Sequence, residues 1–84
     1  MIKPYSVFLH LEVTDSLQAL KRSEREQILL FIRSLARDPF QSGDFQQSDE
    51  SGRVNEAKLV GRFAVFFYTD NADAEVRIVQ IRQV

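Results

Sequence analysis

The sequence has no cysteine and no tryptophan, one histidine, two prolines and three glycines. Without cysteine, neither a disulfide framework nor a thiolate metal site can form. The single histidine, His10, excludes a multi-histidine metal centre, and no serine near it stands in a nucleophile pattern, which removes a Ser-His-Asp triad. His10 reads as a surface or edge histidine on the less apolar side of a strand. Three glycines are too few for a glycine-rich phosphate cradle. Charge of one sign is also lacking. Eleven Lys and Arg against twelve Asp and Glu leave a formal net charge of -1, so the overall field does not favour nucleic acid. Asp49-Glu50 and the pair Asp70/Asp73 lack the spacing of a calcium loop and read as solvated turn residues. No metal and no cofactor is expected. Long hydrophobic runs are missing too. The most apolar stretch, inside Lys58–Tyr68, is too short to span a bilayer, and Met1–Tyr5 lacks the h-region of a signal peptide. A cytoplasmic chain with no membrane partner is expected.

What is present suits a small globular domain. Hydrophobic residues make up 44% of the 84 positions and charged residues 27%, with seven Phe to fill a core. One domain over residues 1–84 is expected. Its organising element is the run Lys58–Tyr68, whose aromatic and β-branched content predicts a strand buried on both faces, reached through a turn at Gly61 from a preceding strand over Val54–Val60. Upstream, Tyr5, Val7, Leu9, Leu11 and Val13 alternate at period two and predict a half-buried first strand. Thr14 and Asp15 then suit a helix start, with Leu17 and Leu20 facing the sheet in a short helix over about 15–22. Ser23-Glu24-Arg25-Glu26 matches a capping box and predicts a second helix there. Ile28, Ile32, Leu35 and Ala36 form its apolar stripe, widened by Leu29 and Phe31, and Pro39 ends it near Arg37 or Asp38. Gln41–Arg53 reads as a long polar loop anchored by Phe45. Asp70–Ala74 is a turn by composition, and Glu75–Arg82 a final strand. The expected fold is α+β, in the order β-α-α-β-β-β: a twisted antiparallel sheet with two helices packed on one face.

Five basic side chains then fall on or beside the predicted strands: Arg53, Lys58, Arg62, Arg77 and Arg82. Cations on a strand face can hold phosphates and stabilise the charge that builds on phosphoryl oxygens during RNA cleavage. They can equally well solvate an uncovered face and pair with Glu56, Asp70 or Glu75. Phe8 and Tyr68 can stack on bases, although core packing is the ordinary role of aromatics at such positions.

The element order, the segment Leu35-Ala36-Arg37-Asp38-Pro39, the hairpin Lys58–Tyr68 and the final Val76–Arg82 together resemble the RelE/ParE family of toxins from type II toxin-antitoxin systems. The hairpin is similar to that family's Arg-x-Val-Gly-x-Tyr-Arg-Val-x-Tyr pattern. The resemblance implies a toxin that cleaves mRNA at the ribosome, with Lys58, Arg62 and Arg82 as catalytic, phosphate-holding residues and Arg53 and Arg77 as RNA-binding ones. It also implies a cognate antitoxin as partner, lying on the sheet or across the helices, where the arc at Leu29 and Phe31 is expected to serve that contact or a homodimer. Two alternatives go with it: a non-enzymatic inhibitor of DNA gyrase, and a domain that only binds an antitoxin-like partner. The sequence departs from the family where Ala64 takes the place of an arginine, for which Arg62 is expected to substitute in part. With Val84 as the final residue, the tail bearing a catalytic Tyr or His in many RNA-cleaving members is expected to be missing.

Overall fold

A computed structural model describes residues 4–84. Two helices and five strands follow one another as β1 (Ser6–Leu9), α1 (Leu11–Gln18), α2 (Arg22–Arg37), β2 (Phe45–Ser48), β3 (Val54–Val60), β4 (Phe63–Asp70) and β5 (Glu75–Gln83). They build a single sheet in the order β1-β5-β4-β3-β2. The β2 to β5 pairs are antiparallel, whereas β1 runs parallel to β5. The sheet is therefore mixed, with one strand more than expected. The first strand also ends earlier than expected, and this shortening and the additional strand have local causes.

The first strand is shorter than its alternation suggested. Val13 sits four residues before Leu17, and both are buried, so Val13 satisfies a helical period as well as a strand period. The helical one wins because the two side chains then reach the same core cluster, with Ile28, Ile32 and Leu35 of α2. Leu11 is left 75% exposed on the outer side of α1. Thr14 and Asp15 lie inside this helix, whose N-cap is His10 with no side-chain cap. The capping box in α2 is not used either, since the N-cap of that helix is Lys21, two residues before Ser23. Glu24 instead binds Arg62 and Glu26 binds Arg22. The predicted end holds: Asp38 is the C-cap and Pro39 follows.

Phe63 and Val65–Phe67 bury as predicted, on both sides of the sheet. Phe63, Val65 and Phe67 meet the helices, together with Val76 and Ile78 of β5. Ala64 and Phe66 point the other way, against Ala57 and Val79. Phe66 pairs with Gln80 while Phe67 pairs with Ile78, so Val79 is the additional residue of a bulge. The bulge lets Ile78 and Ile81 both pack toward the helices while Val79 turns to the opposite face. Gly61, at φ 60°, takes the first place of the two-residue loop joining β3 to β4. In α2, Leu29 and Phe31 both pack partly against the core, Phe31 with its ring 5.7 Å from that of Phe67. Leu30 is the residue left outside, 65% exposed.

The polar segment after α2 is not all loop. Asp49 ties its turn by accepting the Ser51 and Arg53 amides at 2.9 and 3.0 Å and the Ser51 hydroxyl at 2.6 Å. That turn folds Phe45–Ser48 back along Val54–Ala57 as an edge strand, all four of its residues exposed. No helix among the described residues is long and apolar enough to cross a membrane.

Candidate functional site

The helices cover one face of the sheet. The opposite face carries alternate residues of each strand: Phe45 and Gln47 from β2, Asn55 and Ala57 from β3, Ala64, Phe66 and Tyr68 from β4, Arg77, Val79 and Arg82 from β5. Cross-strand register places Phe45 beside Ala57, Ala57 beside Phe66, Tyr68 beside Arg77 and Ala64 beside Arg82.

Three arginines lie over aromatic rings there. The Arg53 guanidinium is 4.0 Å from the centre of the Tyr68 ring, that of Arg82 4.7 Å from Phe66, and that of Arg77 5.5 Å from Phe8. Each contact is of the cation–π type. Phe45 closes on Phe66 edge-on at 5.9 Å. Arg82 also donates from Nη2 to Gln47 Oε1 at 3.1 Å, which ties β5 to the edge strand across the face.

The three differ in their electrostatic partners. Arg77 Nη2 bonds Glu75 at 2.7 Å, and this pairing raises its pKa above the ordinary guanidinium value. Among the described residues, Arg53 and Arg82 have no carboxylate within 4.0 Å. A guanidinium seated on a ring and lacking a carboxylate keeps its donor fork available for an external anion. Arg53 and Tyr68 also wall a shallow cleft of about 380 Å³, with Phe40, Gln41, Ser42 and Glu56.

The other two predicted cations lie elsewhere. Lys58 pairs with Val65 and so lies on the helix side of the sheet, its Nζ 4.0 Å from Asp44. Arg62, in the hairpin loop, turns to α2 and binds Glu24 through two nitrogens, at 2.6 and 3.3 Å. The pair polarises its members in opposite directions, holding the Glu24 carboxyl below its ordinary pKa and raising that of Arg62. The structure thus brings Arg53, Arg77 and Arg82 to one face and leaves Lys58 and Arg62 on the other side.

Ala64, where the resemblance calls for arginine, is fully buried on the floor of the arginine-bearing face. Gln47 and Phe45 were hidden by the loop-like composition around them. Phe45 and Gln47 share one face, and all four residues of the strand are exposed, so no apolar alternation signals it. His10 is not on this array but lines a separate cleft with Glu12, Asp49 and Asn55. Asp70, Asp73 and Glu75 bring carboxylate oxygens within 4.8 Å of one another. Asp70 already accepts the amides of Ala72 and Asp73, and Glu75 holds Arg77, so this cluster is a self-satisfied turn.

Nearly all of the chain matches solved structures. A chain of the archaeal RelE–RelB complex from Pyrococcus horikoshii superposes with a TM-score of 0.79 at 18% identity, over 95% of this chain and 94% of that one. This is the fold of the RelE toxins. A chain of the toxin-antitoxin complex RelBE2 from Mycobacterium tuberculosis matches with a TM-score of 0.78 at 18% identity, over 96% of this chain and 99% of that one. A mutant of the E. coli toxin RelE in the free state matches at 0.67 and 9% identity, over 95% of this chain and 83% of that one. No protein-family model matches the sequence, and no curated protein does. The RelE-like fold is built here from a largely different set of side chains.

Proposed function

We propose that this chain is the toxin of a type II toxin-antitoxin pair, cytoplasmic, and that it represses translation by cleaving mRNA at the ribosome. The observation that carries this reading is the pair Arg53 and Arg82, each stacked on an aromatic ring on the uncovered sheet face and each without a carboxylate partner among the described residues. Phosphates are the natural ligands of such guanidinium groups, and exposed aromatic edges suit unstacked bases. In this reading Arg82 holds the scissile phosphate and stabilises the charge developing on its oxygens. Arg53 and Arg77 follow the RNA along the same face, while Lys58 and Arg62 guide flanking phosphates past the β3–β4 hairpin. The RelE-like fold supports the same reading, and by analogy with the complexes it resembles the chain would be neutralised by an antitoxin.

Controlled expression in cells, with mapping of mRNA ends and of gyrase-linked DNA breaks, tests the proposal. Growth arrest with codon-phased mRNA cuts that vanish in Arg82→Ala is the expected result. Gyrase-linked breaks without RNA cuts would replace it by the gyrase reading, and unimpaired growth with a soluble, folded protein would leave only antitoxin binding.

A further inference from the structure

A second cleft, of about 390 Å³, is lined by His10, Glu12, Asp49, Asn55, Val79 and Gln80. Asn55 is the one polar or charged side chain that is buried among the described residues, 6% exposed. Its carbonyl oxygen, Oδ1, is buried with no hydrogen-bond partner. Buried acceptors are rarely left unmet, because the lost hydration is not recovered. The side chains able to swing aside around it, Glu12 and Gln80 of the lining and the cross-strand neighbour Gln47, are all exposed.

The chemistry of the lining limits what fits. Two acidic residues line the space with Asn55, the bearer of the buried orphan carbonyl, and among the described residues no Lys or Arg lines it. An anion is excluded, and the ligand must bring donors. A single metal ion does not suit, since His10, Glu12 and Asp49 do not gather three ligand atoms within 4.8 Å of one another. A nucleobase could present an amino edge, but apart from His10 no ring lines the cleft to stack on it. A guanidinium meets each condition: it is cationic, planar, carries five donors and no acceptor, and forks onto carboxylate and carbonyl oxygens together.

We propose that this cleft receives an arginine side chain from the protein partner, its fork shared between the Glu12 carboxylate and Asn55 Oδ1. The proposal rests on the antitoxin reading above only for the partner's identity. The cleft would then act as a key: a partner arginine anchors beside the arginine-bearing face and places the rest of the partner over it.

The test uses the intact, ¹⁵N-labelled protein titrated with N-acetyl-arginine methylamide, with blocked norleucine and guanosine monophosphate as comparison probes. The readouts are the Asn55 side-chain amide and the His10 ring. Saturable shifts of both are expected from the arginine probe alone, with a Kd on the order of 1 mM. Glu12→Gln, on the exposed first turn of α1, should weaken binding about tenfold, as loss of one charge-assisted hydrogen bond implies. Because Asn55→Leu is a buried change that can impair folding, Glu12→Gln carries the test. Equal shifts from norleucine, stronger shifts from the nucleotide, an undiminished affinity in Glu12→Gln, or no saturable shift from any probe would each overturn the proposal. No toxicity enters these measurements. Arginine binding in a protein that arrests no cells would keep the cleft and discard only the toxin reading.

Discussion

Adding one methyl group at Gly43 should peel the edge strand from the sheet. A Cβ at this position would lie 2.5 Å from the Ala57 carbonyl oxygen, 2.6 Å from its nitrogen and 2.7 Å from its carbonyl carbon. All three are backbone atoms of a central stretch of β3, so no rotamer change can relieve the contact. Three hydrogen bonds of 2.7 Å converge there: Gly43 N–H to Glu56, Asp44 N–H to Ala57 O, and Leu59 N–H to Asp44. Overpacking alone costs about 1–3 kcal/mol, and breaking the charge-assisted bond to Glu56 costs about 1.5–3 kcal/mol. The two are not additive, because β2 is a four-residue edge whose residues are all exposed and can lift away. We expect Gly43→Ala to lose about 2 kcal/mol in urea unfolding at 25 °C, from a total of about 4–13 kcal/mol for a domain of this length. Amide exchange should accelerate across Phe45–Ser48 before it does in β4. Gly52→Ala is the control: nothing lies within 4 Å of the added carbon, and φ of +85° alone should cost about 1 kcal/mol. If Gly43→Ala unfolds within about 0.5 kcal/mol of the parent and its β2 amides stay protected, the steric argument fails.

Further outcomes follow from other parts of the molecule. Phe67, 1% exposed between β4 and α2, should cost about 3–5 kcal/mol when changed to alanine, measurable as a lowered urea midpoint. Asp49 has its carboxyl pKa lowered chiefly by the Ser51 hydroxyl, then by the Arg53 and Ser51 amides and Asn55. Its folded value lies below its unfolded one, so its stabilisation is complete above the ordinary carboxylate range and fades as pH falls through the folded value. Asp49→Asn should therefore flatten the acid limb of a stability–pH profile while lowering stability near neutrality. Arg82→Lys should abolish the proposed mRNA cleavage as fully as Arg82→Ala, because an ammonium cannot reproduce a planar fork stacked on Phe66, whereas Gln47→Ala should preserve it. End mapping of mRNA distinguishes the two.

Period and composition made the centre of this fold legible and left its margins obscure. Phe63 to Phe67 announce themselves because a run apolar at every position can only be satisfied by burial on both faces. The end of α2 is equally plain, since proline constrains the residue before it. Val13 was ambiguous by arithmetic, being an even step from Leu9 and a helical step from Leu17, and only the tertiary core decides between them. Phe45–Ser48 was misleading for another reason: an edge strand needs no apolar face to be held, only a turn that returns it to a neighbour. The site shows the same limit. The five cations could be named from sequence, but which face each takes depends on the β3–β4 loop, which turns Arg62 toward Glu24, and on β2, whose presence gives Arg82 a partner in Gln47.

The position of β5 has a consequence for the making of the protein. It follows every other described element in the chain, yet it lies inside the sheet, between β1 and β4. A ribosome that has released residues 4–70 has exposed two helices and four strands that cannot yet close, because β1 has no neighbour until Glu75–Gln83 emerges. Pairings so distant in sequence form slowly and leave sheet edges open meanwhile. The arginine-bearing face is likewise incomplete until then, since Arg77 and Arg82 both belong to β5. A nascent chain therefore completes its arginine-bearing face only once β5 has paired, and a molecule that meets the chain before that moment encounters a different surface.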